Sequence, residues 1–137
     1  MDKAEKFEHW LRIAEEDLKV AEAIYASAYW LHSAFMCQQA IEKIVKGLYI
    51  LYIDDNFPRV HNISQIIEVY ADQLSEEVSE DRYALFEQLT SFYLETRYPE
   101  YKSKMYKLTG KKEAGDLLKQ TKEVFAWLLT MKPSIEQ

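Results

Sequence analysis

Between Trp30 and Leu51 the apolar residues recur at steps of four and three without a break: Trp30, Ala34, Cys37, Ile41, Ile44, Leu48 and Leu51. Steps of that size return a side chain to one face of an α-helix, whose period is 3.6 residues, and they do not fit the two-residue alternation of a strand. Phe35, Val45 and Tyr52 widen the stripe, so this helix is expected to be the most buried element of the fold. A second stripe precedes it at Phe7, Leu11, Ala14, Leu18, Ala21 and Tyr25, opposite a charged face of Lys6, Arg12, Glu15, Glu16, Lys19 and Glu22. It predicts a helix from about Lys3 to Ser27. The junction Ala26-Ser27-Ala28 is short, which makes the two helices antiparallel neighbours.

The rest of the chain follows the same period. Asp54-Asp55-Asn56-Phe57-Pro58 stops the second helix, because proline lacks the donor and clashes with the preceding turn. Asn62 is placed to cap a shorter helix carrying Ile63, Ile66, Ile67, Tyr70 and Leu74. After a polar break at Ser75–Ser79, a fourth helix presents Leu85, Phe86, Leu89, Phe92 and Tyr93 inward and is expected to end near Arg97 or Tyr98, ahead of Pro99. A loop from about Pro99 to Lys111 then leads to a last helix with Leu117, Leu118, Thr121, Val124, Phe125, Leu128 and Leu129. Three glycines and three prolines in 137 residues disfavour a turn-rich β architecture. The expected fold is all-α: one domain over residues 1–137, an up-and-down antiparallel bundle of about five helices. Two or three heptads per stripe are too few for a coiled coil.

No secretory h-region opens the chain, and the longest apolar stretch, Ile44 to Ile53, is interrupted by Lys46 and short of the ~20 residues a membrane span needs. The expected compartment is the cytoplasm, with no membrane partner. Cys37 is a lone cysteine between Phe35, Met36 and Ala40 and reads as a core residue. The net charge of −6 disfavours a general nucleic-acid coat. Its distribution is uneven. From Arg97 to Lys112 six cations stand against the single Glu100, a local +5 that leaves −11 on the rest of the chain.

Much familiar chemistry is missing. The sequence has no P-loop, no dinucleotide glycine fingerprint and no zinc-spaced Cys/His set. His9, His32 and His61 are preceded at the third position by Lys6, Tyr29 and Pro58, so the Glu-x-x-His pairs of a helical di-iron site are absent. No metal and no cofactor are expected.

Three segments carry a resemblance. They are Trp10-Leu11-Arg12-Ile13-Ala14 with Glu16-Asp17-Leu18; Gln38-Gln39-Ala40-Ile41-Glu42-Lys43 with Lys46 and the later His61-Asn62-Ile63; and Tyr93 with Thr96-Arg97-Tyr98-Pro99, followed by Phe125-Ala126-Trp127. In order and approximate spacing the chain resembles small prokaryotic HEPN proteins over nearly its whole length. The resemblance implies a helical bundle that forms homodimers. It implies pairing with a minimal nucleotidyltransferase in toxin–antitoxin-like couples. It also implies either nucleotide binding or metal-independent endoribonuclease activity. The family's ribonuclease signature is an arginine followed, after four to six residues, by a histidine. Arg97 matches the arginine. Lys102, Ser103 and Lys104 occupy the positions where the histidine is expected. A lysine, with a pKa of ~10.4, stabilises charge but does not exchange protons near neutrality as histidine does.

The expected phosphate site is therefore Arg97, whose guanidinium is a rigid donor fork for phosphate oxygens, with Lys102 and Lys104 adding attraction and Tyr98 or Tyr101 stacking a base. Such a site suits a nucleotide or single-stranded RNA. The plain alternatives are a helix C-terminal arginine facing the dipole and a solvated lysine loop. Glu42, Lys43, Lys46 and His61 form a second group, a cleft or partner contact; Glu42 and Lys46, four apart, can also be a structural ion pair. Two further readings stay open: a ribonuclease using an out-of-motif histidine such as His61, and a protein-interaction bundle without a ligand.

Overall fold

The computed structural model describes residues 1–134. Six α-helices follow in order: α1 (Lys3–Ala26), α2 (Trp30–Tyr52), α3 (Ile63–Glu68), α4 (Glu80–Thr90), α5 (Pro99–Leu108) and α6 (Lys111–Leu129), with a 3₁₀ turn at Ala71–Gln73. The architecture is all-α, and the described residues contain no strand. The helix starts follow their local chemistry. Asp2 and Glu5 cap α1 reciprocally, Asn62 accepts from the Gln65 amide at the start of α3, and Ser79 accepts from the Arg82 amide at the start of α4.

α2 is the axis of the bundle. Along it Ala34, Cys37, Ile41, Ile44, Val45 and Leu48 are fully buried. α1 lies antiparallel against it, joined by a tight turn in which Ala28 takes a positive φ of 68°. The two helices approach closely at Gly47, where an added Cβ would stand 3.2 Å from the Phe7 ring and 3.3 Å from the Trp10 Cβ. Ser33 Oγ ties them by donating to the Ala21 carbonyl, 2.8 Å. α6 covers another side of α2 with Leu117, Val124, Phe125 and Leu128. Tyr70 closes the far end, fully buried, its hydroxyl donating to the Val45 carbonyl at 2.6 Å. Cys37 is buried, and burial pushes its thiol up to about 11, so it is an inert core thiol. The three tryptophans are half-buried at packing seams: Trp10 edge-on to Phe57, Trp30 against Tyr25, and Trp127 under the Arg82 guanidinium.

Three expectations from the sequence are corrected. The third helix ends at Glu68, so Tyr70 and Leu74 lie beyond it, on either side of the 3₁₀ turn. α4 ends at Thr90, and Phe92, Tyr93 and Leu94 are buried from the turn that follows rather than from the helix itself. The ladder tightens where the helix stops: the Ser91, Phe92 and Tyr93 amides bond the Gln88, Leu89 and Thr90 carbonyls three residues back, and Ser91 Oγ also donates to the Gln88 carbonyl. The lysine segment is not a loop. Pro99, expected to end a helix, instead starts one: it occupies the first turn of α5, where a missing N–H costs nothing and a fixed φ is favourable.

Candidate functional site

Gln38, Glu42 and Lys46 are spaced four apart on α2 and so share one face of it. Glu42 is 5% exposed, and its carboxylate collects three donors. Gln38 Nε2 reaches Oε1 at 2.5 Å, while Lys46 Nζ at 2.8 Å and His61 Nδ1 at 2.9 Å both reach Oε2. Burying a carboxylate is costly unless it is paired and hydrogen-bonded, and here both conditions are met. Lys46 also sits over the Phe57 ring, 5.2 Å from its centroid.

His61 reaches this carboxylate because the next residue begins α3. Asn62 caps the helix, and the Ile63 amide donates to Thr90 Oγ1 at 3.2 Å, which fixes the backbone beside the imidazole. Nδ1 faces the Glu42 carboxylate, an acceptor, and Nε2 makes no hydrogen bond among the described residues. The ring lies flat on Tyr93, centroids 3.9 Å apart and planes 12° apart, and the side chain remains 45% exposed.

Tyr93 joins the two groups of candidates. Its carbonyl accepts from Arg97 Nε at 3.2 Å, its ring stacks on His61, and its hydroxyl donates to Glu95 Oε2 at 3.2 Å. Burial, then the Glu95 carboxylate and then Glu42 raise its pKa, so it stays a neutral phenol and a donor. Arg97 lies in the turn ahead of α5, not at a helix C-terminus, so the dipole explanation for it does not apply. Its guanidinium stands 4.6 Å from the centroid of Tyr101, whose hydroxyl is held by the Ser91 carbonyl at 2.7 Å. Arg97 is exposed, and its terminal nitrogens make no hydrogen bond or ion pair among the described residues.

The remaining expected residues separate. Tyr101 has one face under Arg97 and its hydroxyl bound, so it positions the arginine rather than offering a free platform. Tyr98 is 80% exposed at the N-cap of α5. Lys102 and Lys104 are two residues apart on a helix, about 200° around its axis, so they do not converge on one point. Lys102 lines a cleft of about 420 Å³ together with Leu31, Phe35, Leu94, Glu95 and Tyr106; Lys104 does not. Lys43 does not join Glu42 either. It turns to α1 and pairs with Asp17.

Gln38, Tyr93 and Glu95 were not singled out as site residues by the sequence. Gln38 carried a usable signal, since it continues the Glu42–Lys46 spacing by one turn on an otherwise apolar helix. Tyr93 carried only its apolar position and its place in the segment that bears the resemblance, because its role depends on where α4 ends. Among the described residues no group of three His, Cys, Asp or Glu side chains is placed to hold a metal ion, and no helix is long and apolar enough to cross a membrane.

The sequence profile of the HEPN domain matches residues 7–132. The chain belongs to the HEPN family. Among solved structures it is similar to the crystal structure of an archaeal HEPN homologue, with a TM-score of 0.72 and 24% identity over 93% of this chain and 98% of that one. At that identity the likeness shows the fold. A search of the curated proteins finds no match.

Proposed function

We propose that this HEPN domain binds a phosphate-bearing ligand, a nucleotide or single-stranded RNA, at Arg97. The observation that carries the reading is the state of that arginine. Its position is fixed by the Tyr93 carbonyl and the Tyr101 ring, while its outer nitrogens are left to solvent. A guanidinium oriented in this way loses little freedom on binding and presents a fork matched to phosphate oxygens. Lys102 adds attraction from the cleft side, and Tyr98 offers an exposed ring. Family membership supports the wider setting: a cytoplasmic homodimer of one domain per chain, paired with a minimal nucleotidyltransferase in a toxin–antitoxin-like couple. Calorimetric titration of the purified protein with nucleoside monophosphates and a short oligoribonucleotide tests the reading. Binding that weakens at least tenfold in Arg97→Ala and falls with added salt is expected; binding unchanged by the substitution refutes it.

A second reading rests on the Glu42–His61 pair. The signature histidine is missing from its usual place, yet the fold brings His61 onto the ring of the same tyrosine whose carbonyl holds Arg97. In metal-independent RNA cleavage His61 Nε2 would take the proton of a ribose 2′-hydroxyl. The resulting oxygen attacks the adjacent phosphorus, the bond to the 5′-oxygen breaks, and that oxygen takes a proton from solvent water as it leaves, the proton held on His61 returning to solvent. Arg97 would stabilise the charge on the phosphorane, and Glu42 would hold the imidazole tautomer and its positive charge. The products carry a 2′,3′-cyclic phosphate and a 5′-hydroxyl. A ribonuclease assay with His61→Ala and Arg97→Ala as controls decides this point: equal activity in all three preparations removes the enzyme reading.

A further inference from the structure

We infer that the cleft between the start of α2, the turn after α4 and one face of α5 is a nucleobase subsite selective for guanine; the inference rests on the phosphate reading of Arg97 and deepens it. The cleft, about 420 Å³, falls in the size range of small-molecule sites. Its floor is apolar, made by Leu31, Phe35 and Leu94, with the exposed ring of Tyr106 on the α5 side. That combination accepts a flat heteroaromatic ring. Its polar lining is Glu95, Lys102, His32 and Ser103; Glu95 and Lys102 form no ion pair with each other or with any other described residue.

Glu95 specifies the ring. Glu95 Oε2 accepts from the Tyr93 hydroxyl, which fixes the carboxylate, while Oε1 makes no hydrogen bond among the described residues. A carboxylate so held offers acceptors and no donor. Guanine alone among the common bases presents two adjacent donors, N1–H and the 2-amino group, on its Watson–Crick edge. Adenine presents an acceptor beside its amino group, and a lone-pair acceptor facing Glu95 would be repelled. Lys102 supplies the complementary charge for a phosphate. Tyr93 links the cleft to the arginine site, because its hydroxyl orients Glu95, its carbonyl holds Arg97, and its ring contacts Phe35 with centroids 6.3 Å apart. One nucleotide would then place its base at Glu95 and its phosphate toward Arg97 and Lys102.

The test is calorimetry with GMP, AMP and guanosine on the wild type, Glu95→Gln and Arg97→Ala. Glu95 is exposed in a turn, and glutamine keeps an acceptor for Tyr93, so the variant folds. GMP should bind about tenfold or more tightly than AMP, and Glu95→Gln should weaken GMP about tenfold while leaving AMP within twofold. Equal affinity for GMP and AMP in the wild type, both weakened by Arg97→Ala, overturns the guanine subsite and leaves the phosphate reading standing. Guanosine binding as tightly as GMP and lost in Glu95→Gln supports the subsite and overturns the phosphate reading. Absence of binding by all three probes overturns both.

Discussion

Glu42→Ala is the substitution whose effect can be worked furthest from the structure. It removes a carboxylate that is 5% exposed and leaves three donors behind it. The main cost comes from Lys46, whose side chain is 12% exposed and whose ammonium would face Phe57 without an anion. Removing one partner of a buried pair costs ~3–5 kcal/mol; the residual exposure of Lys46 puts this case near 3. Gln38, fully buried, loses an acceptor and adds ~1 kcal/mol. His61 is nearly half-exposed and can be hydrated instead. The expected loss is about 4 kcal/mol, a large part of the ~5–15 kcal/mol that holds a domain of this size. Replacing both partners, Glu42→Met with Lys46→Met, removes the stranded charge and should recover most of that loss. Urea unfolding monitored by circular dichroism measures all three proteins, with unchanged m-values as the two-state check. If Glu42→Ala falls within 1 kcal/mol of wild type, or the double substitution is worse than the single one, the pair is not the desolvated junction described above.

Arg97→Ala should leave stability within about 0.5 kcal/mol, because the side chain is exposed and makes one hydrogen bond to a carbonyl, while nucleotide affinity drops at least tenfold; thermal unfolding and calorimetry separate the two effects. Asn62→Ala should cost about 1 kcal/mol through the lost cap of α3 and should loosen His61, seen as a weakened upfield ring-current shift from Tyr93 on the imidazole protons. The Cys37 thiol predicts an alkaline limb of stability. A group whose folded pKa lies near 11 against 9.0 in the unfolded chain holds its proton longer when folded, so the unfolded state binds fewer protons above pH 9. Stability should fall between pH 9 and 11 by about 2–3 kcal/mol from this group, and Cys37→Ala should flatten that limb in urea titrations; a limb unchanged by the substitution refutes the assignment.

The bundle was legible because its information is local and periodic. The α1 and α2 stripes name the buried face directly, and Asp54 to Pro58 and Asn62 mark a stop and a start with their own side chains. The segment around Pro99 was misread for a physical reason. A proline is a breaker in a helix interior and a starter in its first turn, and the sequence by itself does not say which turn it occupies. The position of Pro99 in α5 depends on α4 ending upstream at Thr90, seven residues early. Arg97, Glu42, Lys46 and His61 were legible as candidates from residue type and motif. That Lys43 turns away to Asp17 while Lys46 stays follows from helical register: Lys46, four residues on, lies about 40° from Glu42 around the axis, whereas Lys43, the next residue, lies about 100° away and faces α1.

That early stop of α4 also shapes the candidate site. Had the helix run on to Arg97, the Tyr93 carbonyl would have been a partner for the Arg97 amide four residues later, as in any helix interior. Instead the Arg97 amide bonds Leu94 in a turn, and the Tyr93 carbonyl is free to receive Arg97 Nε. The same turn carries Glu95 out to the cleft and leaves Tyr93 flat against His61. Helix α5 then returns Tyr101 beneath the guanidinium and anchors it to the Ser91 carbonyl, the backbone acceptor exposed by the break itself. Extending α4, for example with Ser91→Ala combined with Pro99→Ala, should therefore disturb ligand binding far more than stability. A variant that folds with wild-type nucleotide affinity would show that the broken helix is incidental to the site.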